Sequence, residues 1–215
     1  MNSLLLHVCC APCSTAPVRL LKEQGIPFAT FFYNPNIESS EEYELRLATF
    51  RSFAKTVGIP VMGSSYEPTL WEEAVKPASG VFPLIAGDPD FNENYKKRQE
   101  RCRKCYRLRF ERLAAEALSQ GFDGISTTLS ISPYQFTDTI AEELAKAARR
   151  HKLNDAFVDY RPLYPESIQR SRELSLYRQN YCGCSYSLVE ATLERQARKS
   201  SKARRQDRDV DATYG

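Results

Sequence analysis

Seven cysteines carry the chemistry this chain can do, and their spacing divides them into three groups. Cys9-Cys10-Ala11-Pro12-Cys13 follows the apolar run Leu4-Leu5-Leu6, which reads as a buried strand. It precedes Ser14 and Thr15, which can cap a helix whose first turn tolerates Pro17. Three thiols thus fall on a strand-to-helix turn. In an open parallel sheet such a turn lies at the carboxyl ends of the strands, where ligands bind, and a helix amino-terminus favours thiolate over thiol. Cys102-Arg103-Lys104-Cys105 places two more thiols on one face of a helix end. With Cys9 and Cys10 they make four, enough for a tetrahedral zinc or a [4Fe-4S] cluster, which spacing alone does not separate. Adjacent cysteines at a strand end do not make the usual zinc knuckle, so iron–sulfur is the favoured reading. Cys182-Gly183-Cys184 stands apart and reads as a redox-active pair, because the disulfide of so short a loop is strained and easily reduced; extra metal ligands are the lesser alternative.

Rival readings account for fewer of these thiols. Cys10-Ala11-Pro12-Cys13 looks like a thioredoxin-type dithiol, which leaves Cys102, Cys105, Cys182 and Cys184 without a role. A radical-SAM site needs Cys-x3-Cys-x2-Cys, and Ala16 occupies the required third position. His7 reads as a packed or hydrogen-bonding residue, with metal ligation left open, and His151 is explained by a helix dipole. No Gly-rich phosphate loop of either common type is present. Tyr33, Tyr134, Tyr181 and Tyr186 lie in turns near the cysteines; core packing is their default role and base stacking the functional one.

The elements that must position these residues follow an α/β pattern. Strands are expected at Leu4-Leu5-Leu6, 28–32, 59–62, 124–129 and 157–159. Helices are expected after Cys13 to Gly25, from a Ser39/Glu42 capping box to Gly58, over 102–120, 137–150 and 186–198, and weakly over 167–176. Residues 1–199 read as a single α/β catalytic domain in which 63–101, broken by Pro68, Pro77, Pro83 and Pro89, is an irregular insertion. Residues 200–215 read as a basic, disordered tail. An apolar share of 42% and a charged share of 27% are those of a soluble protein; no run reaches the roughly 20 apolar residues of a membrane helix, and no signal peptide opens the chain. These point to the cytoplasm, where seven reduced thiols mean metal or redox chemistry. The net charge of +3 does not announce a nucleic-acid binder, but Lys97, Arg98, Arg101 and Arg109 belong to a basic stretch around Cys102 and Cys105 that suits an anionic substrate.

His7-Val8-Cys9-Cys10-Ala11-Pro12, Tyr33-Asn34-Pro35-Asn36-Ile37, Cys102-x-x-Cys105-Tyr106-x-Leu108-Arg109, Ser126-Thr127-Thr128-Leu129 with Ser132-Pro133-Tyr134-Gln135, and Tyr177-Arg178-Gln179 with Tyr181-Cys182-Gly183-Cys184 together resemble the cobalamin-independent epoxyqueuosine reductase family, QueH. The resemblance implies a HUP-like (Rossmann-like) parallel sheet flanked by helices, with the cysteine-rich site at the carboxyl ends of the strands. It implies reduction of epoxyqueuosine to queuosine at the wobble position of tRNA, with a [4Fe-4S] cluster on Cys9, Cys10, Cys102 and Cys105 and an adjacent mononuclear iron on Cys13, where some members carry aspartate. The family's frequent His-Pro after the isoleucine is Glu38-Ser39 here, so no histidine role transfers. Under this reading Cys182 and Cys184 store reducing equivalents, Tyr33, Tyr134 or a metal-bound water supplies a proton, and Lys97, Arg98, Arg101 and Arg109 contact tRNA. A ferredoxin- or flavodoxin-like protein donates electrons. An iron–sulfur tRNA sulfurtransferase is the alternative enzyme, and a zinc-stabilised RNA-binding module the non-catalytic one.

Overall fold

The computed structural model describes the backbone of residues 3–211 and the side chains of residues 3–201. Five parallel strands, β1 (Leu4–His7), β2 (Phe28–Phe32), β3 (Val61–Ser64), β4 (Gly124–Thr127) and β5 (Asn154–Asp155), form one sheet in the order β3-β2-β1-β4-β5. This is the Rossmann-like, HUP-like order, with its switch point beside β1. The central register pairs His7 with Phe31 on one side and Thr127 on the other. Both faces of β1 are buried, and alternation divides its side chains. Leu4, Leu6 and Val8 enter a core with α1 (Ala11–Glu23) and α2 (Ser40–Val57), while Leu5 enters one with α4 (Phe91–Ser119) and α5 (Thr137–Arg150).

Helix boundaries differ from expectation where local chemistry was misjudged. In α1 the cap is Cys10, with no side-chain bond, and Pro12 occupies the first turn. Ser14 and Thr15 lie inside the helix, donating to the carbonyls of Cys10 and Pro12. The Ser39 hydroxyl accepts from the Glu42 amide, whereas the Glu42 carboxylate turns to Arg46 and Tyr177, so only half of a capping box forms.

The stretch 63–101 is more regular than expected. It contains α3 (Pro68–Val75), with proline in the first turn, and the opening turns of α4, which begins at Phe91 and not at Cys102. Charged and amide residues that form helices well carry α4 back to just beyond Pro89. The fifth strand is Asn154–Asp155 and not 157–159, because Asn154 and Ala156 make the bonds to Asp123 and Ile125; Phe157 instead packs on the core. The weak helix over 167–176 is α6 (Tyr164–Glu173). The last helix, α7 (Ser185–Asp211), extends well into the expected tail, of which residues 212–215 lie outside the described residues. No helix of the described residues is long and apolar enough to cross a membrane.

Candidate active site

The turn after β1 delivers Cys9, Cys10 and Cys13 to the carboxyl end of the sheet, where their sulfurs lie within 4.8 Å of one another. The turn that leaves β4 fixes this one from one side: the Thr128 hydroxyl accepts from the Cys9 amide at 3.3 Å and lies 3.6 Å from Cys9 Sγ. The β2 exit fixes it from the other, because Asn34 donates to the Val8 carbonyl at 2.9 Å. Below it, buried His7 bonds to the Thr127 hydroxyl at 3.0 Å and the Tyr33 carbonyl at 3.1 Å. Burial and the charge of Arg109 lower its pKa to about 3, so the imidazole is neutral.

The other four cysteines make a second group. Cys102 and Cys105 lie on α4, each within reach of the charge of Cys182, and Cys102 also feels that of Cys184. Cys105 and Cys184 pack with Trp71 and Val75. The pair that sequence separates from the rest therefore sits beside the α4 cysteines, and Cys13 sits with Cys9 and Cys10. All seven cysteines are free thiols, Cys182 and Cys184 included. Their loop is held from α2: Arg46 Nη1 donates to the Cys182 carbonyl at 2.9 Å, and the Glu38 amide donates to the Gly183 carbonyl at 2.7 Å. Gly183 has φ of +140°, and a side chain there would meet Asn36, Arg46 and Ile37 at 3.0–3.2 Å.

Electrostatics distinguish the thiols. Burial opposes ionisation of Cys10, yet hydrogen bonds from Cys13, Cys9 and Gln179 hold its pKa well below the ordinary thiol value. Donation to Cys10 raises Cys9 to about 11 and pushes Cys13 well up. Burial pushes Cys102 and Cys105 up, and takes Cys184 to about 12 with the help of Cys182.

A cavity of about 450 Å³ opens onto Cys9, Cys13 and Cys182, bordered by Asn34, Tyr134, Gln135 and Gln179. Tyr134 is on its wall. Tyr33 is not; its ring stacks on Phe31 in the core under the Arg112 guanidinium, away from the cavity wall where a proton donor would stand.

Two basic residues expected to face tRNA are interior. Arg101, 2% exposed, makes a bidentate bond with Glu190 at 2.7 and 2.9 Å. Arg109, 1% exposed, donates to Asn34 Oδ1 and lies 4.0 Å from Cys105 Sγ, while its charge also acts on Cys9. It is a buried cation that acts on both sulfur groups. Lys97 remains outside, paired with Glu93, and Arg98 borders the cavity while paired with Glu194 at 2.5 Å. Sequence reasoning missed Arg46; its spacing four residues after Glu42 was the available signal.

A protein-family model described as epoxyqueuosine reductase QueH matches residues 4–190. Curated proteins of that description include those of Histophilus somni, 33% identical over 205 residues (94% of this chain, 78% of the relative), and Acinetobacter baylyi, 35% identical over 191 residues (87% and 81%). The one of Thermotoga maritima is 33% identical over 195 residues (88% and 92%). Among solved structures, a predicted subunit of a tRNA methyltransferase from Methanocaldococcus jannaschii superposes with a TM-score of 0.51 at 13% identity, covering 80% of this chain and 75% of that one, a likeness of fold.

Proposed function

The chain belongs to the epoxyqueuosine reductase QueH family, and from that premise we propose which of its residues serve each part of the reaction. It is an epoxyqueuosine reductase, an oxidoreductase that acts on tRNA to give queuosine at the wobble position, the final step of queuosine biosynthesis. Opening the epoxide to an alkene consumes two electrons and two protons and releases the oxygen as water.

The donor set fits an iron–sulfur centre: soft thiolates, three of them within 4.8 Å, with a buried guanidinium to offset their charge. In this reading Cys9, Cys10, Cys102 and Cys105 hold a [4Fe-4S] cluster and Cys13 an adjacent mononuclear iron. Bound there, the two would supply single-electron transfer and a Lewis acid for the epoxide oxygen. Arg109 stabilises the anionic sulfur ligands, and Asn34 orients Arg109 while anchoring the Cys9 turn. Cys182 and Cys184 form a reversible dithiol: oxidation to the disulfide yields two electrons and two protons, and an external ferredoxin- or flavodoxin-like donor restores it. The cavity takes the modified base splayed out of the anticodon loop, and the Tyr134 hydroxyl on its wall donates a proton. Arg98, which borders the cavity, and the exposed Lys97 beside it in sequence contact the RNA backbone. A cytoplasmic setting keeps the thiols reduced.

The observation that carries this reading is the sulfur triad, two of whose members, Cys9 and Cys13, line the cavity. Protein purified without oxygen is expected to be brown, with a broad band near 400 nm, roughly where thiolate-to-iron charge transfer absorbs, and to hold about five irons per chain. Active protein with stoichiometric zinc and no iron overturns it.

A further inference from the structure

Beside the cysteine cavity lies a second, of about 420 Å³, and Arg98, Tyr134, Gln135, Glu194 and Arg198 are walls of both. Resting on the reading that the first cavity receives a nucleotide of an RNA loop, we propose that the second is a subsite for the nucleotide next to the reacting one, with Tyr134 as the partition between the two bases.

The partition is an unusual place for a tyrosine. Tyr134 is 65% exposed, yet its ring is steadied by an edge contact with Tyr164, 6.4 Å away at 82°, which lines only the cysteine cavity. Across the second cavity, Tyr95 is 40% exposed and is likewise held edge-on, by Phe136 at 5.1 Å and 84°. Singly exposed aromatics need no explanation. Two that are orientationally fixed and line one cavity supply the faces on which an unstacked base rests, a contact indifferent to base identity.

The rest of the wall suits the remainder of a nucleotide. Arg161 and Arg198 line the cavity; Arg161 is bonded to Asp159, and the nearest carboxylate to Arg198 is that of Glu194 at 3.8 Å. The first turn of α5 opens into the same space: Phe136 gives no side-chain cap, and the first amide bonded back within the helix is that of Ile140. Thr137, 6% exposed, lines the cavity, and its hydroxyl, buried just beneath, has no partner among the described residues. These groups meet a phosphodiester, and the Asp138 carboxylate can accept from an exocyclic amine. The volume lies within the range of pockets that take a small ligand.

The test measures binding of anticodon stem-loops that contain epoxyqueuosine to the anaerobically reconstituted holoenzyme. The loops are intact or abasic at one or the other flanking position. Tyr95→Ala should weaken the intact loop about fivefold or more, and Tyr95→Phe should bind as the wild type does. An abasic site at one of the two flanks should produce a loss of its own that Tyr95→Ala does not deepen, because the ring and the base act on each other. Unchanged affinity of Tyr95→Ala for the intact loop overturns the subsite, as does an equal loss on all three loops, while wild-type turnover of the intact loop leaves the parent reading standing. Wild-type holoenzyme that neither binds nor reduces the intact loop overturns both.

Discussion

Glu190→Ala is expected to be among the most damaging single changes outside the sulfur ligands. Glu190 is fully buried; its carboxylate accepts both Arg101 donors at 2.7 and 2.9 Å and the Phe82 amide at 2.8 Å, and Arg98 Nε lies at 3.3 Å. Truncation leaves a 2%-exposed guanidinium without its counter-charge. Stranding one partner of a buried pair costs about 3–5 kcal/mol, against a total stability of about 5–15 kcal/mol for a single domain. At about 2–4 °C per kcal/mol for a chain of this size, the midpoint should fall by about 6–20 °C. The effect should reach the site, because Glu190 on α7 ties down the residue next to Cys102 on α4. Anaerobic calorimetry measures the first effect and iron retained after mild heating the second. Adding Arg101→Met removes the stranded cation and should recover part of the loss, although the Phe82 amide stays unpaired. A Glu190→Ala cost below about 1 kcal/mol would refute the reasoning, since an ordinary surface pair behaves that way.

Cys13→Ala should keep the cluster's absorption, lose about one iron and lose epoxide reduction, while Cys13→Asp retains a measurable fraction of activity; loss of the whole cluster would make Cys13 one of the four cluster ligands. Replacing Cys182 and Cys184 together with serine should leave the iron content intact and slow turnover, with iron analysis and single-turnover kinetics as the checks. Glu143, fully buried, pays a burial penalty that Arg107, Lys146 and Arg103 outweigh, which takes its pKa down to about 2. Its stabilisation is therefore complete above the unfolded carboxyl value of 4.5 and disappears as pH falls toward 2, and Glu143→Gln should remove about 3 kcal/mol of acid-dependent stability in urea melts between those limits.

Local signals were legible in the sequence and distant partnerships were not. Helix α5 begins and ends where its periodicity predicts, and the apolar runs locate β1 and β2. The sulfur triad was readable for the same reason, since its three residues share one turn. The burial of Arg101 and Arg109 is not legible along α4 because their partners, Glu190 and Asn34, lie 89 and 75 residues away. Charge along one helix says nothing about the carboxylates that α7 brings against it. The neighbourhood of Cys182 and Cys184 with Cys102 and Cys105 was hidden likewise, because the loop is placed by Arg46 from α2. Strand β5, two residues long, offers no periodicity to read.

The most direct measurement is nucleoside analysis of tRNA carrying epoxyqueuosine after incubation with the anaerobically reconstituted protein and a low-potential reductant. Stoichiometric conversion to queuosine is expected, dependent on bound iron and lost when iron is replaced by zinc. Unchanged epoxyqueuosine with fully iron-loaded protein, or equal conversion by the zinc form, would contradict it.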